Sequence, residues 1–227
     1  MGTEAAPRVA TGRAVPWWRR PAVIGTAVTL VVVGLAIADT TFVSTSSLAQ
    51  PADTAKEYAD LNYDTVVVPT IVDGAQPLDT LLAEVVANPD AAGEKYGNRE
   101  DATKPWSFAA EATGTVVEGN FGEFGLEVDG LPDGITVGVA VPPLGSNTAI
   151  RDAGTDLTFG DFVNQTEYQT VAIELNTRAA DAVYGDLDPE SLMGQQVHVI
   201  GAFTWVSKTG GEIDHVTIVP VQIEVGP

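Results

Sequence analysis

One stretch of the 227-residue chain, from Thr148 to Tyr168, gathers side chains of the kinds that recognise polar ligands. Arg151 offers a planar fork suited to carboxylates, and Asn164 and Gln165 donate and accept toward sugar or peptide groups. Asp152, Asp161 and Tyr168 add charge and a phenol beside Phe159 and Phe162. These six polar residues form the candidate binding set. The plainer alternative is that Arg151 pairs internally with Asp152 or Asp161, while Asn164 and Gln165 tie down the loop.

Other chemistry is sparse. His198 and His215 fall in the last two strand-like runs. With the intervening turn centred near Thr209-Gly210, His198 faces residues near Val221, so a shared metal site is not expected. Asp186-Leu187-Asp188-Pro189-Glu190 lacks the spacing and central glycine of a calcium loop; Asp188 before Pro189 reads instead as a helix cap with proline at the first position. Asn164-Gln165-Thr166 matches a glycosylation sequon, a pattern too short to carry weight. Serine-nucleophile elbows, Ser-x-x-Lys pairs and phosphate-binding loops are all missing from the sequence. No catalytic residue, metal or cofactor is therefore expected, although two carboxylates meeting in a cleft would suit glycoside chemistry.

Charge narrows the partners. Residues 1–21 hold four arginines against one glutamate; taking these from the totals of 11 bases and 31 carboxylates leaves 7 bases against 30 carboxylates. So acidic a surface repels polyphosphates, and nucleic acid is not an expected partner. With no cysteine, the chain has no disulfide, no thiolate metal site and no lipid-bearing cysteine.

Residues 22–38 form a charge-free apolar run of 17 residues, preceded by Trp17-Trp18-Arg19-Arg20. As a helix the run spans about 26 Å, just under a bilayer's hydrocarbon layer. The arginines place the leader 1–21 in the cytoplasm, the run 22–38 as a single-pass anchor and everything beyond outside. The rival reading is a signal peptide cleaved after Ala38, since Ala36-Ile37-Ala38 is a small-x-small site. Residues 39–53, rich in Ser and Thr, read as a linker.

The remainder must position the candidate set, and it divides into a helical part, 54–104, and a β-rich part, 105–227. Leu78, Leu81, Leu82, Val85 and Val86 form one helical stripe with Pro77 in the first turn, and Asn88-Pro89-Asp90 ends that helix and caps a second that closes at Tyr96-Gly97. Before them, Asp53 caps a helix over 54–61, while Thr65-Val66-Val67-Val68 favours a strand and Pro69 opposes a continuing helix. Alternating runs over 112–118, 124–128 and 135–141 make a three-stranded meander. A helix over 168–184 follows, its face made by Ala172, Leu175, Ala179, Ala182 and Val183, with Gly185 as the stop. Strands over 197–206 and 215–225 close the chain, with a bulge at Pro220 that moves the inward phase to Val221, Ile223 and Val225. Three strands, a helix and two strands are the element order of an OB-type five-stranded barrel plugged by that helix, an α+β fold; a generic α+β sandwich is the alternative.

Several local motifs run in the same order as those of a known family: Val68-Pro69-Thr70-Ile71, Pro89-Asp90-Ala91-Ala92-Gly93, Lys95-Tyr96-Gly97, Ala149-Ile150-Arg151-Asp152, the Phe159–Tyr168 run and Val199-Ile200-Gly201-Ala202-Phe203. In these the chain resembles predicted periplasmic lipoproteins of unknown function, often encoded beside simple-sugar ABC transporters. The resemblance implies an OB-like fold, a helix that continues through Pro69 and an extracytoplasmic accessory role. The missing cysteine departs from the family and favours an apolar anchor over a lipid.

These readings converge on a membrane-anchored, non-enzymatic binding module of unknown ligand and oligomeric state, with a sugar transporter or its solute-binding protein as the expected partner. An envelope glycan-acting enzyme and a ligand-free structural protein are the alternatives.

Overall fold

Pro69 sets the first local problem the chain solves. A computed structural model describes residues 52–162, 164–207 and 210–226. In it, Thr54 caps helix α1 (Ala55–Asn62), its side chain accepting from the Glu57 N–H at 3.2 Å. The helix widens into a π segment, Tyr63–Val67, where the Val68 N–H bonds Tyr63 O, and resumes as α2 (Val68–Gly74) with Pro69 in its first turn. Proline has no N–H to donate and its ring crowds the carbonyl four residues back; a five-residue step relieves both constraints. The β-branched run 65–68 is thus helical rather than a strand, as the family resemblance implied.

A two-residue strand β1 (Gln76–Pro77) leads into α3 (Leu78–Ala87) and α4 (Pro89–Tyr96), the latter capped by Asn88. Leu78, Leu81, Leu82 and Val85 are buried, but Val86 is 48% exposed, and Pro77 stands one residue ahead of the first turn. After another two-residue strand, β2 (Gly97–Asn98), come β3 (Ser107–Val117), β4 (Glu123–Glu127) and β5 (Thr136–Ala140). The stretch read as polar holds a short buried helix, α5 (Ala149–Gly154), and a 3-10 turn, Phe159–Asp161. Then follow α6 (Gln165–Tyr184), a 3-10 turn at Pro189–Leu192, β6 (Gln196–Thr204) and β7 (His215–Val225). Asp188 caps that second turn as the sequence suggested, its carboxylate accepting from the Glu190 N–H at 3.0 Å.

Five strands close on themselves in the order β3-β4-β5-β7-β6 and back to β3; β5 and β7 run parallel and the other pairs antiparallel. Closure removes the sheet edges. Side chains alternate between two cores. Phe108, Val116, Phe124, Val139, Phe203 and Ile218 point into the barrel, together with Leu81, Leu82 and Val85 of α3. Ala109, Ala202, Val219 and Val221 point outward against Tyr63, Ile71, Ile150 and Leu175 of the helices.

The plug is therefore α3; α5 covers β6, and the helix expected as the plug between the third and fourth barrel strands, α6, lies outside, on β7. Its buried face is Tyr168, Val171, Ala172, Leu175, Asn176 and Ala179, while Ala182 is exposed. The register slips between Ile200 and Gly201 opposite Pro220, the expected bulge, but Val221 joins the outer core rather than the barrel interior. The described residues form one compact unit; the leader 1–21, the apolar run 22–38 and most of the 39–53 linker lie outside them. Among the described residues no helix is long and apolar enough to cross a membrane.

The outer core carries a pH signature. Burial, with Asp156 and Asp161 adding repulsion, pushes the Tyr58 phenol up to about 12. Burial also raises Tyr63, Tyr168 and Tyr184. In the unfolded chain a phenol ionises near pH ~10, so from there upward the unfolded state sheds protons that the folded state keeps, and stability falls as pH rises. The denaturation midpoint should hold up to about pH 10 and drop between about pH 10 and 12; a midpoint constant through that window would contradict the burial of these rings.

Candidate functional site

The six residues of the 148–168 stretch come together around the start of α6, and five of them are engaged within the protein. Arg151 is 6% exposed. Its Nε donates to Asp152 Oδ1 at 2.8 Å, its Nη1 donates to Tyr168 O at 3.2 Å, and its guanidinium lies 3.9 Å from the Tyr168 ring centroid. Asp161 accepts from the Thr158 N–H and hydroxyl at 2.8 and 2.9 Å, closing a capping box, and makes no pair with Arg151. Asn164 caps α6 by accepting from the Glu167 N–H at 3.0 Å, and Gln165 is exposed on the first turn. Asp152 borders a hollow of about 100 Å³ with Asn98, Glu100 and Thr158. The stretch is a packed corner of the fold, not the open connection its composition suggests.

The histidines do not meet either. His198 stands opposite Glu224, three positions beyond Val221, because Ala202 already pairs with Val219 and the slip opposite Pro220 adds one more residue; it also hydrogen-bonds Thr113 at 3.0 Å. His215 begins β7 opposite Thr136 of β5, at the mouth of the barrel.

Around His215 is a polar cluster that the sequence did not single out. The Glu123 side chain is only 4% exposed, and its carboxylate gathers three partners. Asn120 Nδ2 donates to Oε1 at 2.8 Å, the Thr217 hydroxyl donates to Oε2 at 2.7 Å, and His215 Nε2 lies 2.7 Å from Oε1. That last contact is an ion pair whenever the imidazole is protonated, but its geometry is not that of an aligned hydrogen bond. Thr136 Oγ1 holds the other ring nitrogen at 2.8 Å and donates to Asp214 O at 3.1 Å.

Gly138 makes room for the cluster, because a Cβ there would stand 2.4 to 2.8 Å from the three carboxylate atoms of Glu123. Alternation explains the placement: Phe124 points into the barrel, so Glu123 before it points out, toward Thr217 two strands away.

The cluster floors a cleft of about 280 Å³ between the turn 118–122, which joins β3 to β4, and the loop 205–214, which joins β6 to β7. Phe121 stands at the rim with relative exposure of 107%; opposite it are Val206, 49% exposed, and Ile213. The Oγ of Ser207, which lines the cleft, is buried without a hydrogen-bond partner, as are the hydroxyls of Tyr58, Tyr63 and Tyr168 in the outer core. At Asn120 and His215 the cleft meets a broader groove of about 800 Å³, under the β4–β5 connection. A readable signal existed in Asn120-Phe121-Gly122: an aromatic at a turn apex has no core to face.

Residues 27–224 match the family described as "Predicted periplasmic lipoprotein (DUF2291)". No curated protein matches the chain. Among solved structures, the crystal structure of an OB-fold protein from Thermotoga maritima is similar, with a TM-score of 0.57 and 17% identity over 76% of this chain and 98% of that one. At that identity the likeness bears on the fold alone, and it agrees with the closed five-stranded barrel.

Proposed function

Since the chain belongs to the family of predicted periplasmic lipoproteins, whose match spans residues 27–224, we propose that it is an extracytoplasmic, membrane-tethered and non-enzymatic module that binds a small ligand on its barrel face. The observation that carries this is a cleft rimmed by the fully exposed Phe121 and floored by Glu123 and His215, with Ser207 Oγ buried in its wall without a hydrogen-bond partner. OB barrels bind on the face of their second and third strands between the loops that join strands one to two and four to five, and this cleft lies at that place.

The apolar run 22–38 serves as the tether in this reading, doing without the cysteine that a lipid requires. Tethering raises the effective concentration beside a transporter or its solute-binding protein, so modest affinity suffices. The non-enzymatic part of the reading is supported by the engagement of the obvious carboxylates: Asp152 with Arg151, Asp161 with Thr158 and Glu123 with three donors.

Two measurements test the proposal. A reporter active only outside the cytoplasm, fused after Pro227, should be active; activity from a cytosol-only reporter at that position would overturn the localisation. For binding, the melting temperature of the detergent-solubilised full chain is followed against amines, sugars, amino acids and carboxylates. A true ligand at a hundred times its Kd adds about 2.7 kcal/mol, or roughly 5 to 10 °C. Phe121→Ser should abolish that rise, and Gln165→Ala should leave it intact. A flat response across the whole panel would sink the binding reading.

A further inference from the structure

We infer that the floor of the Phe121–His215 cleft is a proton-operated clamp: with His215 protonated, its imidazolium and the Glu123 carboxylate hold the turn 118–122 against the barrel mouth, and loss of the proton lets that turn swing. Its bearing on ligand capture rests on the reading of the cleft as the binding site.

Hydrogen counting at the floor leads to the clamp. Thr136 Oγ1 lies 2.8 Å from His215 Nδ1 and donates its one hydrogen to Asp214 O at 3.1 Å, so the proton between ring and hydroxyl must come from Nδ1. A neutral ring protonated there turns a bare Nε2 lone pair toward Glu123 Oε1 at 2.7 Å. Moving the proton to Nε2 mends that contact but draws the Thr136 hydrogen away from Asp214 O. Only the imidazolium serves Thr136, Asp214 and Glu123 together. The Nε2 contact is not an aligned hydrogen bond, but attraction between opposite charges at that distance does not need alignment.

The groups that face the ring make its charge matter. Glu123 of β4 is the ion-pair partner of His215 among the described residues, and its side chain is far more buried than the imidazole. Across the two hollows that His215 lines stand Glu118 of the turn, Glu212 and Asp214 before β7, and Glu127, Asp129 and Asp133 of the β4–β5 connection. With His215 neutral, Glu123 keeps the uncharged donors Asn120 and Thr217 but loses its counter-charge. A covered carboxylate in that state draws in water or moves toward it.

The turn is the element that gives way. Asn120 Nδ2 holds Oε1 and Gly122 O accepts the Val141 N–H at 3.0 Å, but Phe121 is fully exposed and a Cβ on Gly122 would meet nothing within 4 Å. Behind the turn, β4 and β5 share only three residue pairs, whereas β3 and β6 share nine. Water entering at Glu123 therefore loosens the turn before it disturbs the barrel, and the Phe121 rim moves with it. An imidazole changes charge between about pH 5 and 8, so the turn is held on the acid side of that range and released as pH rises through it. The proton acts as a ligand of one of two turn states, and the cleft is formed only in the protonated one.

Hydrogen exchange read by mass spectrometry on the full chain in detergent tests the clamp, from about pH 5 to about pH 8, with rates corrected for the intrinsic pH dependence of exchange. Protection of residues 118–123 should fall roughly tenfold or more across that range while β3 and β6 stay level. His215→Gln keeps a polar amide but carries no charge, so it should flatten the profile. His198→Gln, at the only other histidine of the chain, should keep the fall. Should His215→Gln fail to fold, proton NMR still decides: the imidazole signal that survives in His198→Gln must titrate at the midpoint of the turn's exchange. A level profile in the parent, a fall that persists in His215→Gln, or two midpoints that differ would each overturn the clamp. Neither measurement uses a ligand, so those outcomes leave the binding reading intact, whereas a flat ligand panel sinks that reading and leaves the clamp.

Discussion

Truncating Phe108 to alanine is expected to cost the fold about 3–5 kcal/mol. Phe108 is fully buried in the barrel, directly across from Phe203 in the β3–β6 register, and the two rings stack with centroids 5.4 Å apart. The ring also packs against the end of α4, where a Cβ on Gly97 would stand 2.9 Å from Phe108 Cε1. Removing it opens a void between strands held in a closed ladder and a helix that plugs the barrel, neither of which can slide inward without breaking its own hydrogen bonds. In a unit of this size the melting temperature should fall by about 6 to 20 °C, with the denaturant slope unchanged. Phe108→Leu should recover much of the loss. If the alanine variant lost under about 1.5 kcal/mol, the barrel centre would have to be a site that collapses freely.

That core was legible because it obeys simple periods. The alternation of Phe124 and Leu126, and of Val137 and Val139, named the inward faces of β4 and β5, and the stripe of Leu78, Leu81, Leu82 and Val85 named the buried face of α3. The order of elements then identified the barrel. Period alone does not say which helix plugs it. The helix over 165–184 and α3 are both amphipathic; α3 enters the barrel because Gln76 and Pro77, immediately before it, pair with β3 and bring Leu78 to the barrel end. Nor does propensity see the π segment. Thr65-Val66-Val67-Val68 looks like a strand residue by residue, yet the outer core takes Tyr63, Val67 and Ile71 from one helical face.

The candidate site was less legible, for a physical reason. Composition finds residues that can bind, and Arg151, Asp152, Asn164 and Tyr168 can; but the same donors and acceptors suit a cap, a stacked guanidinium or a buried pair equally well. What distinguishes a site is an accessible hollow beside polar groups held in place, and that is a property of three-dimensional placement. Glu123, Thr217 and His215 come from strands far apart in sequence and meet because β5 lies parallel to β7 and antiparallel to β4. Only the turn-apex Phe121 advertised the place from sequence.

Glu123→Ala should be about as damaging as any core truncation, at about 3–5 kcal/mol, because it strips the acceptor from a buried cluster and leaves the donors behind. The Thr217 hydroxyl and the imidazole of His215, both largely covered, would lose their carboxylate, while the exposed Asn120 would turn to water. Glu123→Gln keeps the shape and one carbonyl acceptor, so it should cost less. His215→Ala should destabilise too, but the double variant Glu123→Ala, His215→Ala should lose less than the sum of the two, since the second deletion removes a donor already stranded by the first. Urea titration of the four proteins reads this coupling directly, and strict additivity would show that the 2.7 Å contact contributes nothing. The turn is the link to binding: Asn120 anchors on Glu123 through its side chain and its backbone carbonyl accepts the Glu123 N–H at 3.1 Å, which fixes the residue between Asn120 and Gly122 at the cleft rim. Glu123→Gln, folded but with a weaker hold on Asn120, should therefore bind the ligand less tightly than the parent while melting close to it. Unchanged affinity in that variant would detach the polar floor from recognition and leave the rim alone responsible.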